Sequence, residues 1–368
     1  MEIKNTVQGC ERATEAQSKS CNFIDIMKFI CAMLVIAIHV PPFSGMNWVL
    51  NFAVVNFAAR IAVPFFFTAS AYFVFKKACK TQNGELNKGV IIRYVKKIFR
   101  LYVIWSVIYM PFAYYHMSES AETLKLHWFL RSYAVNFVFS ASYGHLWYLN
   151  AVIFAYLFLL LMLAAKIKPA VITAFSLTAY CVGLCTQSWF GLVEPLSLEC
   201  PRLWSFFPVL QRIFVTARNG LCEGLLFVLV GMFFATHDIK LKMKTALICL
   251  VCSFLFFAAE VFILAKLAWI REYDMYLGLI PVTFFLFYVS LNINIPDRAI
   301  YRKMRTLSAL IYFSHMLAVE LLMLVPCLRA LPGGGLTQYL FTFLASLVFS
   351  AAVIRLSEHF KAPGLLYQ

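Results

Sequence analysis

The chain has 368 residues, of which 62% are hydrophobic and 13% are charged, and its mean hydropathy is +0.79. An average soluble domain has about 45–50% apolar and about 25% charged residues, so this composition excludes soluble, disordered and collagen-like classes. Apolar stretches of about 20 residues, the length of a membrane-crossing helix, recur along nearly the whole chain. We therefore predict an all-helical, polytopic integral membrane protein.

The net charge is +15, and the basic residues gather in the connections between apolar segments. The positive-inside rule describes this distribution, so we expect membrane lipids as partners and no nucleic acid. Most of the 11 cysteines lie inside apolar segments, where a thiol behaves as a small hydrophobic group. Cys200 and Cys327 are predicted to lie outside the membrane, and a disulfide between them is left open.

Residues 1–22 are polar and lack the apolar core of a signal peptide, so they are predicted to form a cytoplasmic tail. Ten apolar segments follow at about 23–43, 49–75, 98–115, 145–165, 169–189, 220–236, 245–265, 274–292, 307–326 and 336–356. The alternation of basic connections places both termini in the cytoplasm. The chain thus divides into the tail 1–22, a ten-helix transmembrane domain 23–356 and a cytoplasmic tail 357–368.

Two local features refine this topology. The segment 49–75 is long enough to tilt or to break at Pro64. The external connection 116–144 contains four aromatic residues that could lie along the membrane surface on a short amphipathic helix. These are Trp128, Phe129, Tyr133 and Phe137.

Asp25, Lys28 and His39 are ionisable residues in the first apolar segment. At about 100° per residue, Lys28 lies within about 20° of His39 around the helix and Asp25 within about 40°. The small residues Ala32 and Val35 fall between them, which suggests a stripe lining a channel. Asp25 is about 21 Å from His39 along the axis and cannot orient the imidazole, so we expect Asp25 to pair with Lys28.

His39 is the candidate for chemistry, since it precedes Pro41-Pro42, where the helix should stop and a cavity could open. The alternative is a buried or helix-capping histidine with a structural role. His145 and His315 lie in other apolar segments and could surround it. No pair of these histidines has the helical spacing of metal ligands, so we expect no metal.

Further charged residues lie at membrane depth, where such groups are costly and often functional. Arg60 and Glu223 could form a buried ion pair. Arg218-Asn219 opens the sixth segment from outside and could hold an anionic or hydroxylated group, although a snorkelling arginine would show the same pattern. Lys96, Lys97 and Arg100 enter the third segment from the cytoplasm and could bind phosphates, or could serve only as a topology anchor.

Taken in order, these motifs resemble the membrane acyltransferase family often called type three, which O-acylates bacterial cell-surface sugars. The similarity rests on Asp25-x-x-Lys28 with His39, Ala62-Val-Pro-Phe-Phe-Phe-Thr-Ala-Ser-Ala-Tyr72, Lys96-Lys97-x-x-Arg100, Gly144-His-Leu-Trp-Tyr-Leu149 and Ile311-Tyr-Phe-Ser-His315. The likeness is strongest to a small single-domain branch. That branch includes the O-acetyltransferase of enterobacterial common antigen and the membrane portion of serine racemases from vancomycin-resistance clusters.

The resemblance implies an enzyme of the bacterial inner membrane that transfers an acyl group from cytoplasmic acetyl-CoA, or another acyl-CoA, to a hydroxyl of a cell-surface saccharide or lipid-linked glycan. His39 would be the general base, since an imidazole with a pKa of about 6.5 suits proton abstraction near neutral pH. The cofactor site would comprise Lys28, Lys96, Lys97 and Arg100. The acceptor site would comprise Arg60, His145, Trp147, Arg218 and Asn219, with Asp25, Glu223 and His315 in support.

The sequence departs from the family pattern at three positions. Cys21 stands where larger members often have Arg, Lys28 stands where Arg is common, and Ala71 replaces a common Gly. These changes put in doubt a bidentate arginine contact at the cytoplasmic end of the first helix.

Two other functions fit the same residues. A transporter or permease for a small molecule such as an amino acid would also use charges inside the membrane, and a silent scaffold for an envelope complex would need no chemistry. The acyl-CoA site is expected only in the enzyme.

Overall fold

A computed structural model of the chain describes residues 21–79, 86–119, 125–195, 199–200, 216–326 and 334–368. Nearly all of the predicted tail 1–22 lies outside these residues. Cys327 also lies outside them, and its disulfide with Cys200 stays a prediction.

Every regular element of the described residues is helical. The α-helices are α1 (Asn22–His39), α2 (Trp48–Phe52), α3 (Ala62–Ala78), α4 (Lys88–Glu119), α5 (Leu126–Phe139), α6 (Trp147–Ala164), α7 (Pro169–Thr186), α8 (Phe190–Val193), α9 (Leu225–Thr236), α10 (Met243–Lys266), α11 (Leu279–Asn292), α12 (Ala299–Leu324), α13 (Gly334–His359) and α14 (Lys361–Gly364). Short π or 3₁₀ turns lie at Ala53–Phe57, Ala58–Ile61, Gly144–Leu146 and Gly220–Gly224.

Eight helical segments of the described chain are long and apolar enough to cross a membrane, and Gly220–Thr236 and Leu279–Asn292 are shorter apolar helices. Each of the ten predicted segments coincides with one of these. The predicted class, a polytopic all-helical membrane protein, is confirmed. The number of crossings and the side on which the termini lie stay predictions.

The long second segment departs from regular α-helix before Pro64. A π turn and a 3₁₀ turn occupy Ala53–Ile61, and α3 starts at Ala62. Proline in the first turn of a helix costs little because its missing N–H has no partner there. Pro64 therefore lies where a helix resumes, and the irregularity predicted at Pro64 lies upstream of it.

The chain forms two compact units. The terminal unit comprises Ser20–Phe66 and Ser290–Gln368, and the central unit comprises Phe67–Val289. In the terminal unit α1 packs against α12 and α13 around Ala32, Ile36 and Ile311, which are fully buried. Ala32 thus belongs to a packed core, and the prediction that it lines a channel is wrong.

The central unit is tied together by long-range contacts at close helix approaches. Gly231 of α9 lies against α3, where a Cβ would sit 2.3 Å from the Thr68 carbonyl oxygen, and the Thr68 hydroxyl donates to the Phe227 carbonyl at 3.2 Å. The predicted short helix in 116–144 is present as α5. It buries Phe129 and Tyr133, and the Tyr133 hydroxyl donates to the Ser106 carbonyl of α4 at 2.6 Å.

Candidate active site

His39 is the last residue of α1. The helix ends there with the Val40 N–H bonded to the Ile36 carbonyl, and Pro41 and Pro42 follow. A cavity of about 560 Å³ opens beside His39, as the sequence predicts. Its lining within the terminal unit includes the polar side chains of His39, Ser44 and Gln338, and a wall of α12 formed by Val319, Leu322 and Met323.

His315 of α12 is the neighbour of His39, with ring centroids 5.1 Å apart. It is fully buried, and its Nδ1 lies 2.8 Å from the Tyr312 carbonyl and 3.2 Å from the Ile311 carbonyl. Because a carbonyl oxygen only accepts, Nδ1 carries the proton, and Nε2 of the neutral ring is an acceptor. The supporting position predicted for His315 thus corresponds to a ring of fixed orientation beside His39.

The N-terminal end of α1, which is predicted to face the cytoplasm, has a partner that the sequence did not identify. Arg305 of α12 donates from Nε to Asp25 Oδ1 at 2.9 Å and from Nη2 to Oδ2 at 2.7 Å. Asp25 is fully buried, and this bidentate pair supplies it with a planar guanidinium fork. Lys28, the predicted partner, also lies within electrostatic range of Asp25 and of Arg305. Nothing in the sequence points to Arg305, because it approaches from another helix, 280 residues along the chain.

Helix α12 therefore contacts α1 at two places, at Asp25 and at His39. Arg305 and His315 are ten residues apart, about 15 Å of helix, while Asp25 and His39 are about 21 Å apart. The bidentate pair fixes one end, and the two imidazoles meet at the other. The sequence could not show this arrangement, because Arg305 lies in a basic connection that reads as a topology anchor.

Arg60 and Glu223 lie in different units. The Arg60 guanidinium donates to the Asn56 side chain at 3.1 Å within the terminal unit. Glu223 is buried in the π turn of the central unit, within electrostatic range of Tyr180. Their predicted ion pair stays a prediction.

Two predicted acceptor residues, Trp147 and Arg218, meet in the central unit. The Arg218 guanidinium lies over the Trp147 ring, 5.6 Å from its centroid. Its Nε is also 3.2 Å from Asp274 Oδ2, an ion pair whose angles fall outside those of a hydrogen bond. This cation lies on an aromatic face, is partly exposed and is paired with a carboxylate, and its predicted contact with an acceptor stays a prediction.

Asn219, in contrast, is used within the fold. Its Oδ1 accepts from the N–H groups of Leu221 and Cys222 at 2.8 Å, and its Nδ2 donates to the Thr216 carbonyl. This is an N-cap that starts the helical segment from Gly220. The structure gives Asn219 a capping role, and its predicted contact with an acceptor stays a prediction.

His145 lies in the 3₁₀ turn before α6 and is 1% exposed. Its ring packs edge-on against Tyr109 at 4.8 Å and near Tyr143 at 5.9 Å, and the two tyrosines stack at 4.6 Å. His145 thus belongs to an aromatic cluster of the central unit, which can position Trp147 two residues later.

The predicted phosphate site consists of exposed cations on α4. Lys96, Lys97 and Arg100 all lie on the surface, and Lys97 is within electrostatic range of both Arg100 and Lys77 of α3. Lys77 is an addition to the predicted site. Like charges held together repel, so an anionic ligand would stabilise this cluster.

Within the described ranges, no group of three His, Cys, Asp or Glu side chains has the arrangement of a metal site.

Sequence reasoning missed two residues that line the cavity, Ser44 and Gln338. Neither belongs to a recognisable motif, and Gln338 reaches the cavity from a helix about 300 positions away from His39.

Comparison with known proteins gives the class. The acyltransferase domain family matches residues 22–355, and the chain belongs to this family. The similarity inferred from the motifs is thereby confirmed, and with it a multi-pass membrane protein of the acyltransferase class.

The curated relatives are longer proteins. An amino-acid racemase from Enterococcus faecalis is 24% identical over 343 residues, which cover 92% of this chain and 47% of that protein. A serine/alanine racemase from Enterococcus gallinarum is 29% identical over 294 residues, which cover 79% of this chain and 40% of that protein. The chain therefore spans less than half the length of these relatives. No solved structure shows significant similarity to it.

Proposed function

We propose that this protein is an acyl-CoA-dependent O-acyltransferase that modifies a hydroxyl of a cell-envelope glycan or lipid-linked saccharide. The observation that carries the proposal is His39 at the mouth of a cavity, beside a second imidazole of fixed orientation. Family membership supports acyl transfer, and the cation cluster on α4 supports an anionic donor.

In the proposed reaction His39 acts as general base. It takes the proton of the acceptor hydroxyl while that oxygen attacks the thioester carbonyl carbon, and the carbonyl electron pair moves to its oxygen. The tetrahedral intermediate then expels the thiolate with the C–S bond pair, and the imidazolium of His39 returns the proton to give CoA thiol. His315 positions His39 through a ring that cannot turn without losing its carbonyl contacts.

The donor is expected to be acetyl-CoA or another acyl-CoA, whose phosphates carry several negative charges. Lys97, Arg100 and Lys77 present the matching positive charge. Lys96 extends this surface by one residue. Lys28 is held near Asp25 and Arg305, so we assign it to that charge network ahead of phosphate binding.

The test is calorimetric titration of acetyl-CoA into the protein in nanodiscs. A Lys96/Lys97/Arg100→Ala variant should lose saturable binding. The matched control is Lys240/Lys242/Lys244→Ala, which removes the same charge from another exposed basic connection and should bind as wild type does. Equal binding by both triple variants, or no binding of acetyl, succinyl or longer acyl-CoA by wild type, would contradict the proposed donor site.

A second candidate function is transport of a small amino acid, which the names of the racemase relatives favour. A membrane unit attached to a serine/alanine racemase could supply its substrate. Uptake of labelled serine or alanine by proteoliposomes, without release of CoA thiol from acetyl-CoA, would support transport in place of acyl transfer.

A further inference from the structure

The cavity beside His39 contains two polar side chains with no part in the mechanism above, Ser44 and Gln338. In the described part of the chain neither the Ser44 hydroxyl nor the Gln338 amide makes a hydrogen bond. Neither side chain is fully buried, so the hydrogen-bonding groups of both are accessible to a ligand in the cavity.

Acyl transfer creates a need for hydrogen-bond donors at a defined place. When the hydroxyl attacks the thioester, the carbonyl oxygen becomes an oxyanion, and enzymes stabilise it with fixed donors. A glutamine amide offers two N–H donors and a serine hydroxyl offers one. Gln338 is therefore the stronger candidate in this cavity.

Gln338 is held in place by its neighbours on α13. Gly335, one turn earlier, lies against the loop after His39, where an added Cβ would be 2.3 Å from the Pro41 carbonyl oxygen. Tyr339, the next residue, donates to the Met33 carbonyl of α1 at 3.3 Å. Two contacts thus fix the register of α13 against the helix and loop that carry His39.

The remaining wall strengthens such a donor. Val319 and Leu322 are buried on α12 and contribute only apolar groups to the cavity. A hydrogen bond to a developing negative charge is worth more beside apolar groups than in water.

The geometry points to Gln338 as the oxyanion donor: its amide N–H donates to the carbonyl oxygen as that oxygen takes the π pair, and His39 removes the hydroxyl proton. This inference rests on the proposed acyl transfer. Ser44 is exposed and serves as a weaker second donor.

The experiment measures release of CoA thiol from acetyl-CoA, with water as acceptor, by the full chain in nanodiscs. Gln338→Met keeps the length of the side chain and removes the donor, so the turnover rate should fall about a hundredfold while acetyl-CoA binding is unchanged. Gln338→Asn keeps a donor one methylene short and should lie between. Ser44→Ala should lose less than Gln338→Met. The control is Leu340→Ala, two residues further on and exposed, which should match wild type.

Each result has a distinct meaning. Wild-type turnover in Gln338→Met, with His39→Ala inactive, would overturn the oxyanion role and leave the proposed function standing. No thiol release by wild type above the His39→Ala background would overturn both. A Gln338→Met variant that loses donor binding along with turnover would indicate a structural role and also overturn the inference, unless Gln338→Asn binds normally and turns over slowly.

Discussion

The two ends of α1 treat their polar groups in opposite ways. At the N-terminal end, both oxygens of the Asp25 carboxylate accept hydrogen bonds from one guanidinium. At the other end His39 faces a cavity of about 560 Å³, alongside a serine and a glutamine that the described residues leave unbonded. An ion pair between two helices holds them together, whereas side chains such as Ser44 and Gln338, which face a cavity, can donate hydrogen bonds to a ligand.

Removing the ion pair between Asp25 and Arg305 should have the largest effect, and that effect should be on stability. Arg305→Ala leaves Asp25 as a buried carboxylate and should cost about 3 kcal/mol of unfolding free energy. Asp25→Asn leaves Arg305, whose side chain is 54% exposed and can reach water, and should cost less. The midpoints of chemical unfolding in mild detergent measure both. Equal losses for the two variants would contradict the assigned burial asymmetry.

Removing His39, at the other end of α1, should affect the rate of acyl transfer. His39→Ala should lower acyl transfer at least about a hundredfold, because the general base is lost, with little change in unfolding midpoint. His116→Ala removes another partly exposed histidine, near the end of α4, and serves as control with an expected wild-type rate. Near-normal transfer by His39→Ala would remove the mechanism.

His315 sharpens the comparison, since it is fully buried yet contacts His39 at the end of α1 that faces the cavity. His315→Phe keeps the ring and removes the Nδ1–H anchor and the Nε2 acceptor. We expect about a tenfold loss of turnover, because His39 loses the neighbour that orients it, with acetyl-CoA binding retained. The pH profile of turnover should also change shape, a readout that simple loss of packing would not move. An unchanged profile would assign His315 to packing alone.

The smallest effect is expected at Asn219, where the structure shows a helix-capping role. Asn219→Ala should cost about 1 kcal/mol of stability, and Asn219→Asp, which keeps the capping oxygen, should cost much less. Both should leave the apparent acceptor affinity unchanged. A selective loss of acceptor affinity in Asn219→Asp would restore the role predicted from the sequence.

The sequence predicted what is local. Hydropathy located the helices, and the spacing of Asp25, Lys28 and His39 put them on one face of α1, with a cavity expected after Pro41-Pro42. Such inferences need only the helical repeat and the behaviour of proline, which act within a few residues.

What the sequence missed depends on pairing between distant helices. Arg305 and Gln338 approach α1 from α12 and α13, roughly 280 to 300 residues later, and no periodic pattern indicates which face of one helix meets which face of another. The capping role of Asn219 was missed for a different reason, since a side chain that binds a ligand and one that caps a helix look the same in a sequence.

The bidentate grip of Arg305 on Asp25 also has a mechanical consequence. Sliding α12 along α1 by one helical turn, about 5.4 Å, would tear both hydrogen bonds and carry His315 away from His39. The ion pair therefore opposes sliding of α12 along α1. A carrier that alternates its access between two sides of a membrane would have to keep these two helices together as it moves, whereas a catalyst needs His39 and His315 to keep their relative positions.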